Sequence, residues 1–158
     1  MAELKGDFFN KEEVRTHDSR VSYINAFLPK LIETAKEKTL GFKDHLENID
    51  PYDVKCIDDL QNIPVLRKSE LANKQKLFPP FGGFEKTEEQ KNTHFFQSPG
   101  PIYEPGTRGL DWGRFAPFLY STGVRKGMVL QNCFSYHLTP AGMMFEEGAL
   151  KIGTKVIP

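Results

Sequence analysis

The sequence predicts an α/β fold, with an N-terminal helical layer followed by the beginning of a parallel βαβαβ sheet. Three observations carry that prediction. Short apolar runs at 93–97, 128–134 and 154–157 alternate with helical spacing at 110–121 and 141–152. Strand, helix, strand, helix, strand is the order in which crossover helices join parallel strands. Upstream of residue 90, helical patterns follow one another between prolines and glycines, without a repeat. Finally, 39% hydrophobic and 27% charged residues in a chain of 158 allow a sizeable core and argue against global disorder. The polar stretch 85–92 divides the chain into a helical region, 1–90, and an α/β region, 91–158.

Taken in order, residues 1–17 are polar except for Phe8 and Phe9, which read as an anchor, with a turn of helix at 11–14. Asp18 and Ser19 offer an N-cap to a long helix. Its apolar positions Val21, Ile24, Phe27, Leu28, Leu31, Ile32 and Ala35 trace one face. Pro29 lies inside that pattern and predicts a kink or break just before it. Short helices follow at 40–46, after Asp50 and Pro51, from Asp58 to Pro64, and from Lys68 to Pro79, the last with Ser69 as cap. They read as a layer covering something else.

In the α/β region, the helix at 110–121 places Leu110, Phe115, Phe118 and Leu119 on one face, is weakened by Gly113 and Pro117, and stops at Gly123. The run 128–134 reads as a buried strand with Cys133 inside it. Pro140 suits the first turn of the helix at 141–152, and Gly153 its stop. Met143, Met144, Phe145, Ala149, Leu150 and Ile152 cover much of that helix, as expected for one packed on a sheet. A sheet ending at 154–157 leaves an unpaired edge, which predicts a homo-oligomer or a complex. Thirteen Phe residues point the same way: to a dense aromatic core or to apolar surface that wants a partner.

Composition also excludes function classes. The formal net charge is +0, with 21 basic and 21 acidic residues, and a nucleic-acid partner would call for a basic excess. No apolar run approaches the ~20 residues of a membrane span. Residues 1–6 lack a signal-peptide core. The expectation is a cytoplasmic protein without a membrane partner. Cys56 and Cys133 show no zinc-type spacing and read as free thiols. Neither a metal site nor a catalytic residue is predicted; His17, His45 and His94 have no ligand spacing.

Two places invite chemistry. Ser98, Gly100 and Tyr103 lie in the turn-rich stretch 98–106, after a predicted strand and before a predicted helix, where backbone amides can cradle a phosphate. Pro99, Pro101 and Pro105 remove amide donors, and no Lys follows the glycines as in a P-loop, so a rigid structural turn is the competing reading. Phe134, Tyr136 and His137 lie at the C-terminal end of a predicted parallel strand, where open α/β sheets bind ligands. Either Tyr136 and His137 line a pocket, or the aromatic caps the core and His137 is simply hydrogen-bonded. Ser135 has no G-x-S-x-G elbow around it, so a hydrolase is not indicated.

At these residues the chain resembles the phenylacetate–coenzyme A ligase family of adenylate-forming acyl-CoA synthetases. The resemblance rests on Leu28-Pro29-Lys30, on the run from Asp59 through Pro64 and Arg67-Lys68-Ser69 to Leu71, and on Phe81-Gly82-Gly83. It continues from Gly123 through Met128 and Cys133 to Tyr136, and from Gly153 to Pro158. It implies an incomplete part of the large domain of an adenylate-forming enzyme. The implied reaction is ATP-dependent and AMP-forming: a carboxylate takes the adenylyl group from ATP, and coenzyme A then displaces AMP, with Mg2+ on the phosphates. By position, Ser98, Gly100 and Tyr103 fall in the nucleotide phosphate loop, here degenerate because the family's hydroxyls are mostly replaced. Phe134, Tyr136 and His137 fall in the aromatic turn beside the acyl pocket. The adenine-binding segments, the magnesium carboxylate and the lid with the catalytic lysine would lie beyond Pro158. The resemblance therefore implies an N-terminal portion, inactive alone, binding neither ATP, Mg2+ nor coenzyme A by itself, whose partner is the remainder of the ligase chain. The alternative is a small non-enzymatic binding or oligomerisation module derived from that region. A weaker third reading is an isolated nucleotide-binding domain using 98–106.

Overall fold

The structure, a computed structural model, describes residues 7–86, 92–107, 109 and 111–158. The chain packs as two compact units. The helical unit is Thr16–Lys91 with Pro99–Tyr103; the α/β unit is Met1–Arg15, Asn92–Ser98 and Glu104–Pro158.

The helical unit is built on α1, His17–Lys38. Its N-cap is Thr16, whose hydroxyl accepts from the Ser19 amide, two residues before the Asp18 and Ser19 pair. The helix runs through Pro29 without a break. Leu28 and Ile32 are buried, whereas Phe27 and Leu31 are half exposed, so the inward stripe is narrower than the apolar pattern. Thr39 ends α1 and caps α2, Leu40–His45, by accepting from the Phe42 amide. Two 3-10 turns follow, Pro51–Asp53 and Ile57–Asn62. Then comes α3, Lys68–Leu77, whose first turn contains Ser69 while Arg67 stands at the cap. Ile32, Leu46 and Val54 form the core, flanked by Phe42, Ile49 and Ile63.

Residues 98–106 are not the open loop expected between a strand and a helix. β1, His94–Ser98, pairs with β2, Ile102–Gly106. Only residues 99–101 lie between them, which requires an antiparallel hairpin. Gly106 permits the pairing, because a Cβ there would stand 2.1 Å from the Phe96 ring. The hairpin corrects the expected sheet order: the first strand is not the first member of a parallel sheet. The parallel part is the unit that follows, β3 (Val129–Gln131), α5 (Ala141–Ile152) and β4 (Lys155–Ile157), with Val129, Leu130 and Gln131 paired to Lys155, Val156 and Ile157.

The helix expected at 110–121 is α4, Phe115–Ser121; Leu110 lies outside the described residues. Its start is set by Asp111, whose two carboxylate oxygens accept from the Phe115 and Ala116 amides at 2.6 and 2.9 Å. α5 keeps its expected bounds and ends at Gly153 in the left-handed conformation. Ala116, Leu119, Ala149 and Ile152 form the core between α4 and α5, joined by Leu130 and Val156 from the sheet and by Phe9. The opposite sheet face is open: Val129 is 61% and Ile157 52% exposed. Cys133 is exposed too, because β3 ends at Gln131 and the chain has already left the sheet.

Candidate functional site

The site takes shape where β3 hands over to α5. The ladder extends one residue past β3, with the Asn132 amide donating to the Ile157 carbonyl at 2.8 Å. The Asn132 side chain then turns inward and is buried. Its Nδ2 donates to the Tyr136 hydroxyl and to the Gly142 carbonyl, both at 2.8 Å, and its Oδ1 accepts from the Phe134 amide at 3.2 Å. One amide thus fixes the turn at both ends and ties it to the first turn of α5. The Gly142 amide returns a bond to the Ser135 carbonyl at 3.1 Å. A Cβ at Gly142 would sit 2.6 Å from that carbonyl oxygen, so this close approach requires glycine.

The aromatic side chains line up along α5. Phe134 stacks on Phe145 with centroids 4.4 Å apart, and Phe145 meets Phe115 at 4.7 Å and Phe118 edge-on at 6.3 Å. Tyr136 is half-buried. Burial, followed by its hydrogen bond to the Glu146 carboxylate, holds its phenol above the usual tyrosine range, while the Asn132 bond acts the other way. His137 is exposed; its amide donates to Ser135 Oγ at 3.2 Å, and its carbonyl accepts from Thr139 at 2.8 Å. The β1 strand also reaches this turn, through the Gln97 amide and the Leu138 carbonyl at 2.8 Å.

Phe134 and Tyr136 therefore meet α5 side by side, on Phe145 and Glu146, while His137 joins only through its backbone. Asn132 and Gly142 are the residues that sequence reasoning missed, and Phe145 was read only as a packing residue of the helix. The available signal was an amide at a strand end, followed by a glycine in the first turn of the next helix. The surface they make is flat, aromatic and weakly polar, with a neutral phenol at its edge. It can hold an apolar or aryl group by stacking.

The other predicted set sits in the hairpin. Ser98 ends β1, Gly100 is in the turn, and Tyr103 is in β2. The Tyr103 backbone is clasped by Gln75, which accepts from its amide at 2.9 Å and donates to its carbonyl at 2.7 Å. Pro99, Pro101 and Pro105 lack N–H groups and Gln75 takes the Tyr103 amide, so this stretch offers fewer donors than a glycine-rich phosphate loop. Among the described residues no group of three His, Cys, Asp or Glu is placed to hold a metal ion. None of their helices is long and apolar enough to cross a membrane.

No protein-family model matches the chain. A phenylacetate-coenzyme A ligase of Thermus thermophilus is 28% identical over 141 residues, which is 83% of this chain and 30% of that protein. A crystal structure of 2-hydroxyisobutyryl-CoA ligase in a postadenylation state, in complex with R3-HIB-AMP, superposes on 100% of the chain and 35% of its own length, with a TM-score of 0.87 at 19% identity. The same ligase with 2-HIB-AMP gives a TM-score of 0.81 at 22% identity, over 90% of this chain and 31% of that one. At such identities the structures establish the fold. The chain spans about a third of the length of these proteins. It is thus similar in sequence to a phenylacetate–CoA ligase, and it has the fold of part of an adenylate-forming ligase.

Proposed function

We propose that this chain forms part of an AMP-forming acid–CoA ligase, and that its contribution is one wall of the acyl pocket. The supporting observation is the sequence match to a phenylacetate-coenzyme A ligase over 83% of the chain, together with the aromatic turn at 132–139. In this reading Phe134, backed by Phe145, and the neutral Tyr136 pack against the body of an aryl or other carboxylic acid and keep water from it. ATP, Mg2+ and coenzyme A serve the complete enzyme: the carboxylate attacks the α-phosphate, pyrophosphate leaves, and the thiol displaces AMP. Three prolines leave the hairpin poor in amide donors for the phosphates, so we assign those steps to the remaining two thirds of a ligase. We place the protein in the cytoplasm.

ATP–pyrophosphate exchange tests this directly. The 158-residue chain alone is expected to give none with any aryl or short-chain acid. Exchange by the chain alone would overturn the assignment. In source cells, an antibody against the chain is expected to find a band much heavier than 18.0 kDa. A band at 18.0 kDa would favour the second reading, a non-enzymatic binding or oligomerisation module. The observation behind that reading is the open β3–β4 face with Val129 and Ile157.

A further inference from the structure

Within the helical unit, α2 and the end of α3 flank a partly open cavity of about 340 Å3. That volume is at the lower end of the ~300–1,000 Å3 typical of small-ligand sites. Its walls are apolar: Leu40 from α2, and Leu77 and Phe78 from the end of α3. All three are more than half exposed, at 59, 73 and 57%. Two glycines set its shape. The Gly41 amide donates to the Gly83 carbonyl at 2.7 Å, and a Cβ on Gly41 would stand 2.7 Å from the Phe84 ring. Gly82 has φ +74° and packs on Lys74 and Gln75. Helix and turn therefore meet backbone to backbone, and no side chain from either glycine fills the space.

The cavity also has a charged end. Lys74 Nζ lies 3.8 Å from Asp44 Oδ2 and 5.8 Å from the Phe84 ring centre. A separation of 3.8 Å is an ion pair without a hydrogen bond, so Asp44 leaves the ammonium donors unspent. The two charges are unequally placed: the Asp44 side chain is 79% exposed and that of Lys74 29%. Water already solvates the carboxylate. Lys74 is the less exposed side chain of the two, and a carboxylate in the cavity would give its ammonium the hydrogen bond that Asp44 does not.

We propose that this cavity binds a small monocarboxylate with an aromatic or branched apolar body. The body packs on Leu40, Leu77 and Phe78. The carboxylate takes hydrogen bonds from Lys74 and displaces Asp44 into solvent. The site is separate in the chain from the 132–139 turn, and it stands whether or not the ligase reading does.

The test is a titration of the 15N-labelled 158-residue chain with 1-naphthylacetate and its neutral twin, 1-naphthylacetamide, followed by amide shifts. The acid is expected to give saturable shifts at Gly41, Phe78 and Gly82. The amide should bind about ten- to a hundredfold more weakly, as should the acid to K74M, since one charge-assisted bond is lost. D44N should bind the acid a few-fold more tightly, because the competing carboxylate is gone. Absence of saturable shifts at these amides would overturn the proposal. Equal binding of acid and amide would do the same, and that arm needs no variant to fold.

Discussion

A single buried amide joins the end of β3 to the start of α5. Asn132 spends both kinds of hydrogen-bonding atom within the turn, and its donor serves the Tyr136 hydroxyl and the Gly142 carbonyl together. Asn132→Ala leaves the Gly142 carbonyl without its side-chain donor. The expected loss of stability is about 1–3 kcal/mol, read by urea unfolding. The same variant removes the one interaction that lowers the Tyr136 phenol, so that phenol should titrate still further above the ordinary tyrosine value. Ultraviolet titration of N132A against the unmodified chain checks this. The sign is that of a raised acid: the native state favours the protonated phenol. The associated stability is complete below pH 10 and is lost as pH rises through the folded-state value. Asp7 behaves in the opposite sense. Hydrogen bonds from Tyr120 and then Arg125 hold its carboxyl below its ordinary range. Its contribution is therefore present at neutral pH and fades as pH falls through the lowered value.

The α4–α5 pair packs closely, and glycine allows it. A Cβ on Gly148 would stand 2.7 Å from the Phe115 Cβ and 3.0 Å from the Ala116 amide nitrogen. Ala116 and Ala149 are fully buried beside it. Gly148→Ala has no flexible neighbour to push aside, so overpacking should outweigh the gain in helix propensity. We expect a net destabilisation of about 1–3 kcal/mol in urea unfolding. A stabilised G148A would contradict that packing. This pair also shows what the sequence discloses. α5 was legible to the residue because its apolar pattern, Pro140 and Gly153 agree. α4 was not, because its start depends on Asp111 folding back onto two amides, a contact that spacing cannot reveal. The hairpin was hidden for a related reason: Pro, Gly and Tyr between 98 and 106 read as loop, while Gly106 under the Phe96 ring makes them a strand. Pro29 misled in the other direction, since α1 continues through it. At the candidate site, Phe134 and Tyr136 were visible as aromatics after a strand. Asn132 was not, because its value lies in whom it touches.

At the scale of the molecule, the two-stranded parallel sheet is the feature out of keeping with a finished fold. Parallel strands ordinarily have both faces covered. Here Leu130 and Val156 pack inward on the α4–α5 core, while Val129, Gln131, Lys155 and Ile157 face outward and are exposed or nearly so. In the ligase reading, the remaining two thirds of the enzyme cover that face. In the module reading, a second copy does. Both readings lead us to propose that the isolated chain self-associates, and a net charge of +0 does nothing to oppose it. Sedimentation should therefore show an average mass above 18.0 kDa that rises with concentration. Val129→Lys sets a second charge on the open face, beside Lys155 in the ladder and clear of the α4–α5 core, so it should return the chain to a monomer at a small cost in unfolding midpoint. If the unmodified chain is monomeric at high concentration, water alone satisfies this face and neither form of cover is needed. If V129K still associates, the contact lies elsewhere, and the half-exposed Tyr23, Phe27 and Leu31 on α1 become the surface to substitute next.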